Sequence, residues 1–252
     1  MMNAPLLAPW PYPFWIAHRG GGRHAPENTL AAFRLGAAHG WRCFECDAKL
    51  SADGVPFLLH DDTLDRTTNG SGRADRPWAE LSQLDAGSWH SAQHAGEPPA
   101  TLAALARFIQ AAGLSLNVEI KPMPGLEEAT GEAVARLLLQ HWGPEHTPPL
   151  LSSFAPAALV GARTAAPRWP RALLLDEWRS GWQQDVTALG CVALGAHHPM
   201  LDEERIAQLH DQGLRVLAYT VNDVQEVQRL REAGVDSLFT DEIHAFAPGP
   251  QS

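Results

Sequence analysis

The chain has 252 residues, 45% of them hydrophobic and 19% charged, with no low-complexity tract, which excludes a disordered or fibrous chain. Nineteen Lys and Arg stand against 29 Asp and Glu, a formal net charge of −10, and no basic run occurs, so general binding to a nucleic-acid backbone is excluded. Three cysteines are too few for a disulfide framework and fit a reducing compartment.

Residues 1–15 are apolar but contain no Lys or Arg and are broken by Pro5, Pro9, Pro11 and Pro13, unlike a secretory signal. The Trp10-Pro11-Tyr12-Pro13-Phe14 segment is expected to form an arm over one end of the fold. No apolar run reaches the ~18 residues a membrane helix needs. The expectation is a cytoplasmic protein without a membrane partner, and its oligomeric state is left open.

Short β-prone runs at 15–18, 43–50, 55–60, 114–121, 149–154, 171–175, 191–197, 215–221 and 237–241 alternate with segments of helical period. Helices are expected at 28–39, 101–112, 125–142, 156–166, 182–189, 202–212 and 223–233, several closed by glycine. Such alternation predicts a mostly parallel sheet. The second and third runs are joined only by Ser51-Ala52-Asp53-Gly54, too short for a parallel crossover, so they form a hairpin. Setting its return arm aside leaves eight strands, which favours a (β/α)8 TIM barrel over a doubly wound open sheet. Residues 61–100 have no clear period and are read as an insertion over one barrel mouth, within a single domain spanning 1–252.

Barrel sites are built at the C-terminal ends of the strands. There the sequence places His18 and Arg19 after the first run, Glu45 and Asp47 on the second, His60 on the hairpin arm, and Glu119 and Lys121 on the fourth. Residues two apart on a strand face the same way, so the three carboxylates converge. Close acids repel unless a cation lies among them, and all-oxygen ligation suits a hard ion, Mg²⁺ or Ca²⁺. Structural ion pairing is the alternative for an isolated Glu-x-Asp, but the two histidines and two cations in the same mouth favour chemistry. The hairpin is expected to bring His60 beside Glu45. Arg19 and Lys121, with the Gly20-Gly21-Gly22 turn, suit a phosphate. Cys43 and Cys46 form a C-x-x-C, but on a strand they face opposite ways, against a redox pair. His197-His198 after a strand could add a metal ligand, though three carboxylates already suffice for a hard ion, Trp89 and Phe154 could line the mouth, and Glu27 and Asn28 are expected to shape the first loop and cap its helix.

With these residues in view, the sequence resembles the glycerophosphodiester phosphodiesterases, most closely the compact bacterial cytoplasmic type. His18-Arg19-Gly20 with Pro26-Glu27-Asn28-Thr29, Glu45-Cys46-Asp47, His60-Asp61 with Leu64, Arg66-Thr67-Thr68 and Gly70-x-Gly72 carry the resemblance. Asn117-Val118-Glu119-Ile120-Lys121, Ser152-Ser153-Phe154, Thr220-Val221-Asn222 and Thr240-Asp241 continue it in order. It implies Glu45, Asp47 and Glu119 as ligands of one divalent metal, His18 and His60 as the acid/base pair, and Arg19 and Lys121 on the phosphate. Phe154 and Tyr219 are the remaining substrate contacts, Tyr219 standing where the family often has Trp. The implied substrate is a small glycerophosphodiester, and the implied products are sn-glycerol 3-phosphate and an alcohol. A barrel phosphodiesterase acting on intact phospholipid, or a non-catalytic diester-binding protein, are the competing readings, and the chain shows no docking face for a bilayer.

Overall fold

The computed structural model describes residues 9–246. Its strands are β1 (Trp15–Ala17), β2 (Cys43–Leu50), β3 (Pro56–Leu58), β4 (Ser115–Ile120), β5 (Leu150–Ser153), β6 (Arg171–Leu175), β7 (Ala193–His197), β8 (Arg215–Tyr219) and β9 (Ser237–Thr240). The α-helices are α1 (Leu30–Ala38), α2 (Trp78–Leu81), α3 (Leu102–Ala111), α4 (Glu127–His141), α5 (Pro156–Ala165), α6 (Trp182–Leu189), α7 (Glu203–Asp211) and α8 (Val224–Glu232). Eight parallel strands run β1-β9-β8-β7-β6-β5-β4-β2 and close through a β1–β2 pairing, so the (β/α)8 barrel is the fold. Among the described residues, no helix is long and apolar enough to cross a membrane.

The expected hairpin forms, and unequal strand lengths explain where it fits. β1 has only three residues and meets β2 at Ala17 and Phe44. β2 has eight, and its last three, Ala48 to Leu50, pair antiparallel with β3 on the edge that β1 leaves open. The return arm therefore stands on the C-terminal mouth.

Helices start later than the periodicity suggests because the capping residue lies outside them. Thr29, Thr101 and Asp202 each accept a bond from the backbone N–H three positions on, and Asp223 caps α8 in the same way. β7 starts at Ala193 and not Cys191, whose N–H is used by Val186 O to close α6 after the left-handed Gly190. α4 and α5 pack backbone to backbone at Gly131 and Gly161. A Cβ on Gly131 would lie 1.9 Å from Ala158 O, and one on Gly161 would lie 2.0 Å from Glu128 O.

Inside the barrel the two ends differ. Ile16, Cys43, Leu150, Ala172, Ala193, Leu217 and Phe239 form an apolar cluster, and Tyr12 of the Pro-aromatic arm is buried against it. Tyr12 donates its hydroxyl to Pro148 O at 2.7 Å, and Trp10 donates its indole N–H to Ser237 Oγ at 3.0 Å. The arm thus plugs the N-terminal end, as expected. Cys43 belongs to this inner cluster and Cys46 to the outer core under the helices, so the two thiols lie on opposite faces and are free.

The segment between β3 and α3 contains the short α2 and its own apolar cluster of Phe57, Leu59, Leu64, Ala74 and Leu81. Much of the rest is shaped by side chains bonding backbone, which leaves no periodic signature. Asp85 accepts from the N–H groups of Gly87, Ser88 and Gly96 at 2.8–2.9 Å.

Candidate active site

Glu45, Asp47 and Glu119 come together as the strand alternation requires. Asp47 on β2 and Glu119 on β4 are paired in register, and the three carboxylates each offer an oxygen within 4.8 Å of the others. Glu45 and Asp47 are fully buried. Glu45 Oε2 accepts the backbone N–H of Arg19 at 2.8 Å, and Asp47 Oδ2 accepts Asn28 Nδ2 at 2.8 Å. The second oxygens, Glu45 Oε1 and Asp47 Oδ1, have no hydrogen-bond partner. Glu119 Oε1 is likewise unbonded, with Lys121 Nζ 3.0 Å away but off the hydrogen-bond direction.

Buried, unsatisfied acceptors such as those of Glu45 and Asp47 are costly, and with a third carboxylate within 4.8 Å the cluster fits a hard divalent cation. Burial and the neighbouring Asp47 push Glu45 up to about 8, and the same two causes raise Glu119. Burial also opposes ionisation of Asp47, yet Arg19 first, with His60 and Lys121, holds it below the usual carboxylate range.

Two histidines flank this cluster. His18 follows β1, its Nδ1 bonded to Asp241 Oδ1 at 2.7 Å and its Nε2 3.9 Å from Glu45 Oε2. Burial acts to lower His18, but Asp241 and Glu45 outweigh it and the net shift is upward. His60 follows β3, and its Nδ1 bonds Asp61 Oδ1 at 2.7 Å. Burial pushes His60 down, Asp47 opposes this, and Arg19 adds to it.

His60 and Glu45 line the same cavity. Leu59 donates to Asp47 O at the end of the ladder, and the charged groups acting on His60 are Asp47, Arg19, Lys121 and its hydrogen-bonded Asp61.

Arg19 adopts a left-handed φ of 51°, followed by Gly20 at 92°, which turns its side chain back over the mouth. Its Nη1 donates to Glu27 Oε1 at 2.8 Å, and its Nε is 3.2 Å from Asp47 Oδ2. A cavity of about 130 Å³ opens between the charged groups and an apolar wall. His18, His60, Glu119 and Lys121 face Phe154, Leu174, Tyr219 and Phe239. Phe154 and Tyr219 meet edge to face at 5.6 Å, and Lys121 Nζ lies 5.6 Å from the Phe154 ring centre. The Tyr219 hydroxyl donates to Leu175 O at 2.6 Å, so it is the ring that Tyr219 offers to the cavity.

Several residues act here to which the sequence gave no such part. Asp241 holds His18, and Asn222 donates to Asp241 Oδ2 at 2.9 Å. Both stand just past strands β8 and β9, where the rule for barrel mouths could have found them. Asn28 is not the helix cap, a role Thr29 fills. With φ at 60° it instead clasps Asp47, donating from Nδ2 and accepting the Asp47 N–H at 3.0 Å. Glu27 does shape the first loop, through Arg19 and Arg66. His198 is taken by Glu226 at 3.2 Å, and neither it nor His197 lines the cavity. Trp89 stands with His18 and Arg19 in an adjoining open groove.

The model of the glycerophosphoryl diester phosphodiesterase family matches residues 18–245. A glycerophosphodiester phosphodiesterase of Caldanaerobacter subterraneus is 30% identical over 240 residues, covering 90% of this chain and 93% of the relative. Among solved structures, an Oleispira antarctica phosphodiesterase in complex with the product sn-glycerol-3-phosphate is 40% identical, with a TM-score of 0.87 over 91% of this chain and 93% of that one. An Agrobacterium tumefaciens glycerophosphodiester phosphodiesterase is 27% identical, with a TM-score of 0.77 over 93% of this chain and 99% of that one. Matched along nearly its whole described length, the chain belongs to the glycerophosphoryl diester phosphodiesterase family and is a phosphoric diester hydrolase.

Proposed function

We propose that this enzyme hydrolyses small glycerophosphodiesters to sn-glycerol 3-phosphate and an alcohol, using one Mg²⁺ or Ca²⁺ held by Glu45, Asp47 and Glu119 and the two histidines as acid and base. One observation carries the reading: Glu45 and Asp47 are buried with one oxygen each left without a hydrogen bond, and Glu119 brings a third carboxylate within 4.8 Å. When bound there, such an ion would offset charge on the phosphoryl oxygens and make a coordinated hydroxyl more acidic.

The remaining work falls to the chain's own groups. Arg19, beside Asp47, and Lys121, beside Glu119, supply positive charge for the phosphate. The glycerol carries a hydroxyl next to the phosphate, and internal attack by it displaces the alcohol and leaves a cyclic phosphate that water then opens. One imidazole accepts the attacking proton and the other donates to the departing alkoxide, with the roles reversed for water. Each ring has Nδ1 fixed by a carboxylate, which leaves Nε2 for the substrate. Phe154 and Tyr219 form an apolar wall for the substrate, Tyr219 on the alcohol side. Unpaired Cys43, Cys46 and Cys191 accord with a cytoplasmic setting, and residues 1–252 are taken as one barrel domain.

The test is incubation of the purified protein with a panel of glycerophosphodiesters, with and without chelator, and identification of both products. Release of sn-glycerol 3-phosphate that chelator abolishes and Mg²⁺ or Ca²⁺ restores is the expected result. Hydrolysis indifferent to chelator, or release of the alcohol's phosphate instead, would overturn the reading.

A further inference from the structure

Arg66 lies in the segment over the barrel mouth, on a turn fixed by Thr68, whose N–H and hydroxyl both donate to Leu64 O at 3.1 and 2.6 Å. Leu64, Thr67 and Thr68 are buried, and the Arg66 side chain is 44% exposed, yet all three of its guanidinium nitrogens donate hydrogen bonds. Nε and Nη2 donate to the two oxygens of Asp61 at 2.7 and 2.9 Å. Nη1 and Nη2 donate to the two oxygens of Glu27 at 2.8 Å each.

The same two carboxylates also hold His60 and Arg19. Asp61 Oδ1 takes His60 Nδ1, and Glu27 Oε1 takes Arg19 Nη1. One planar fork therefore joins two orienting acids that come from different parts of the chain.

We infer that Arg66 is a positioning residue for the hydrolysis, tying the orientation of His60 to that of Arg19 through Asp61 and Glu27; this rests on the roles proposed above for those two groups. A single exposed ion pair contributes little to stability. A doubly bidentate guanidinium fixes geometry, because both carboxylate planes must lie in line with it. Without it, two acids near one another would repel and rotate, and His60 and Arg19 would turn with them. Lysine carries the charge but has no fork, so it cannot satisfy four oxygens in one plane.

The two arms leave different kinetic marks. Freeing His60 slows proton transfer and lowers kcat, whereas freeing Arg19 loosens phosphate binding and raises KM. The experiment compares Arg66→Gln and Arg66→Lys with Asp61→Asn, Glu27→Gln, His60→Ala and Arg19→Ala, all on the full chain with its metal, using glycerophosphocholine as substrate. Both Arg66 variants are expected to keep the wild-type melting temperature within a few degrees, with kcat about 10-fold lower and KM about 10-fold higher. Asp61→Asn should reproduce mainly the kcat part and Glu27→Gln mainly the KM part. Millimolar guanidinium should restore most of the kcat of Arg66→Gln, a rescue that a merely structural loss would not show.

Wild-type kinetics in both Arg66 variants, or a guanidinium-insensitive loss that tracks the melting temperature, would overturn this inference while His60→Ala stays inactive. Full activity in His60→Ala would instead overturn the acid/base reading on which it rests.

Discussion

His18 and Asp241 sit 223 positions apart in sequence, yet Nδ1 of one lies 2.7 Å from Oδ1 of the other at the seam where β1 meets β9. The bond fixes the imidazole tautomer and turns Nε2 toward the carboxylates. Asp241 is itself fixed, since Asn222 donates to its other oxygen and its backbone N–H donates to Asn222 Oδ1 at 2.8 Å. Burial works to raise Asp241, but His18 and Asn222 hold it down to about 2. Asp241→Asn should lower kcat by ~10²–10⁴-fold with little change in KM, because the amide disfavours the working tautomer without touching the phosphate. Steady-state kinetics on a soluble glycerophosphodiester checks this, and a change confined to KM would contradict it.

Removing either imidazole should be at least as costly. His18→Ala and His60→Ala are each expected to lose ~10²–10⁴-fold in kcat with the fold intact by circular dichroism. A variant within tenfold of wild type would exclude a scheme that needs both rings.

The carboxylates can be tested without turnover. Asp47→Asn and Glu119→Gln each remove one carboxylate of the cluster, and calorimetric titration with Mg²⁺ or Ca²⁺ should show affinity reduced by ~10–100-fold or more. Wild-type affinity in both would place the ion elsewhere.

Gly131→Ala should reverse the usual helix rule. Alanine in a helix interior normally stabilises by ~0.5–1 kcal/mol, but here its methyl would meet Ala158 O at 1.9 Å and force α4 from α5. A net loss of ~1–3 kcal/mol in urea unfolding is expected, with kcat per folded molecule unchanged.

Asp85 gives a pH-dependent stability effect. Its bonds to Ser88, Gly87 and Gly96 hold its pKa below the usual 3.8. A carboxyl depressed in the folded state stabilises above its unfolded pKa, and that contribution disappears as pH falls through the folded value. The melting temperature of Asp85→Ala should therefore lie below wild type by a constant margin from neutral pH down to about 4, and the margin should shrink at lower pH. A margin that widens on acidification would refute the assignment.

Alternation along single strands made the three acids, the two histidines and the barrel legible in the chain. Cys43, Glu45 and Asp47 share one face of β2, and the four-residue link after Leu50 allows only a hairpin. These are local facts, set by strand period and turn length, so neighbouring residues suffice to read them. Sequence alone also marked polar residues at strand ends as the place of chemistry.

What only the tertiary structure decided is which distant groups meet. Asp241 on His18, Asn28 on Asp47 and Arg66 across Glu27 and Asp61 are contacts made by closure of the barrel and by folding of the aperiodic segment over its mouth. Hydrogen-bond partners separated by 5 to 223 positions obey no period, because their geometry is fixed by the packed backbone between them.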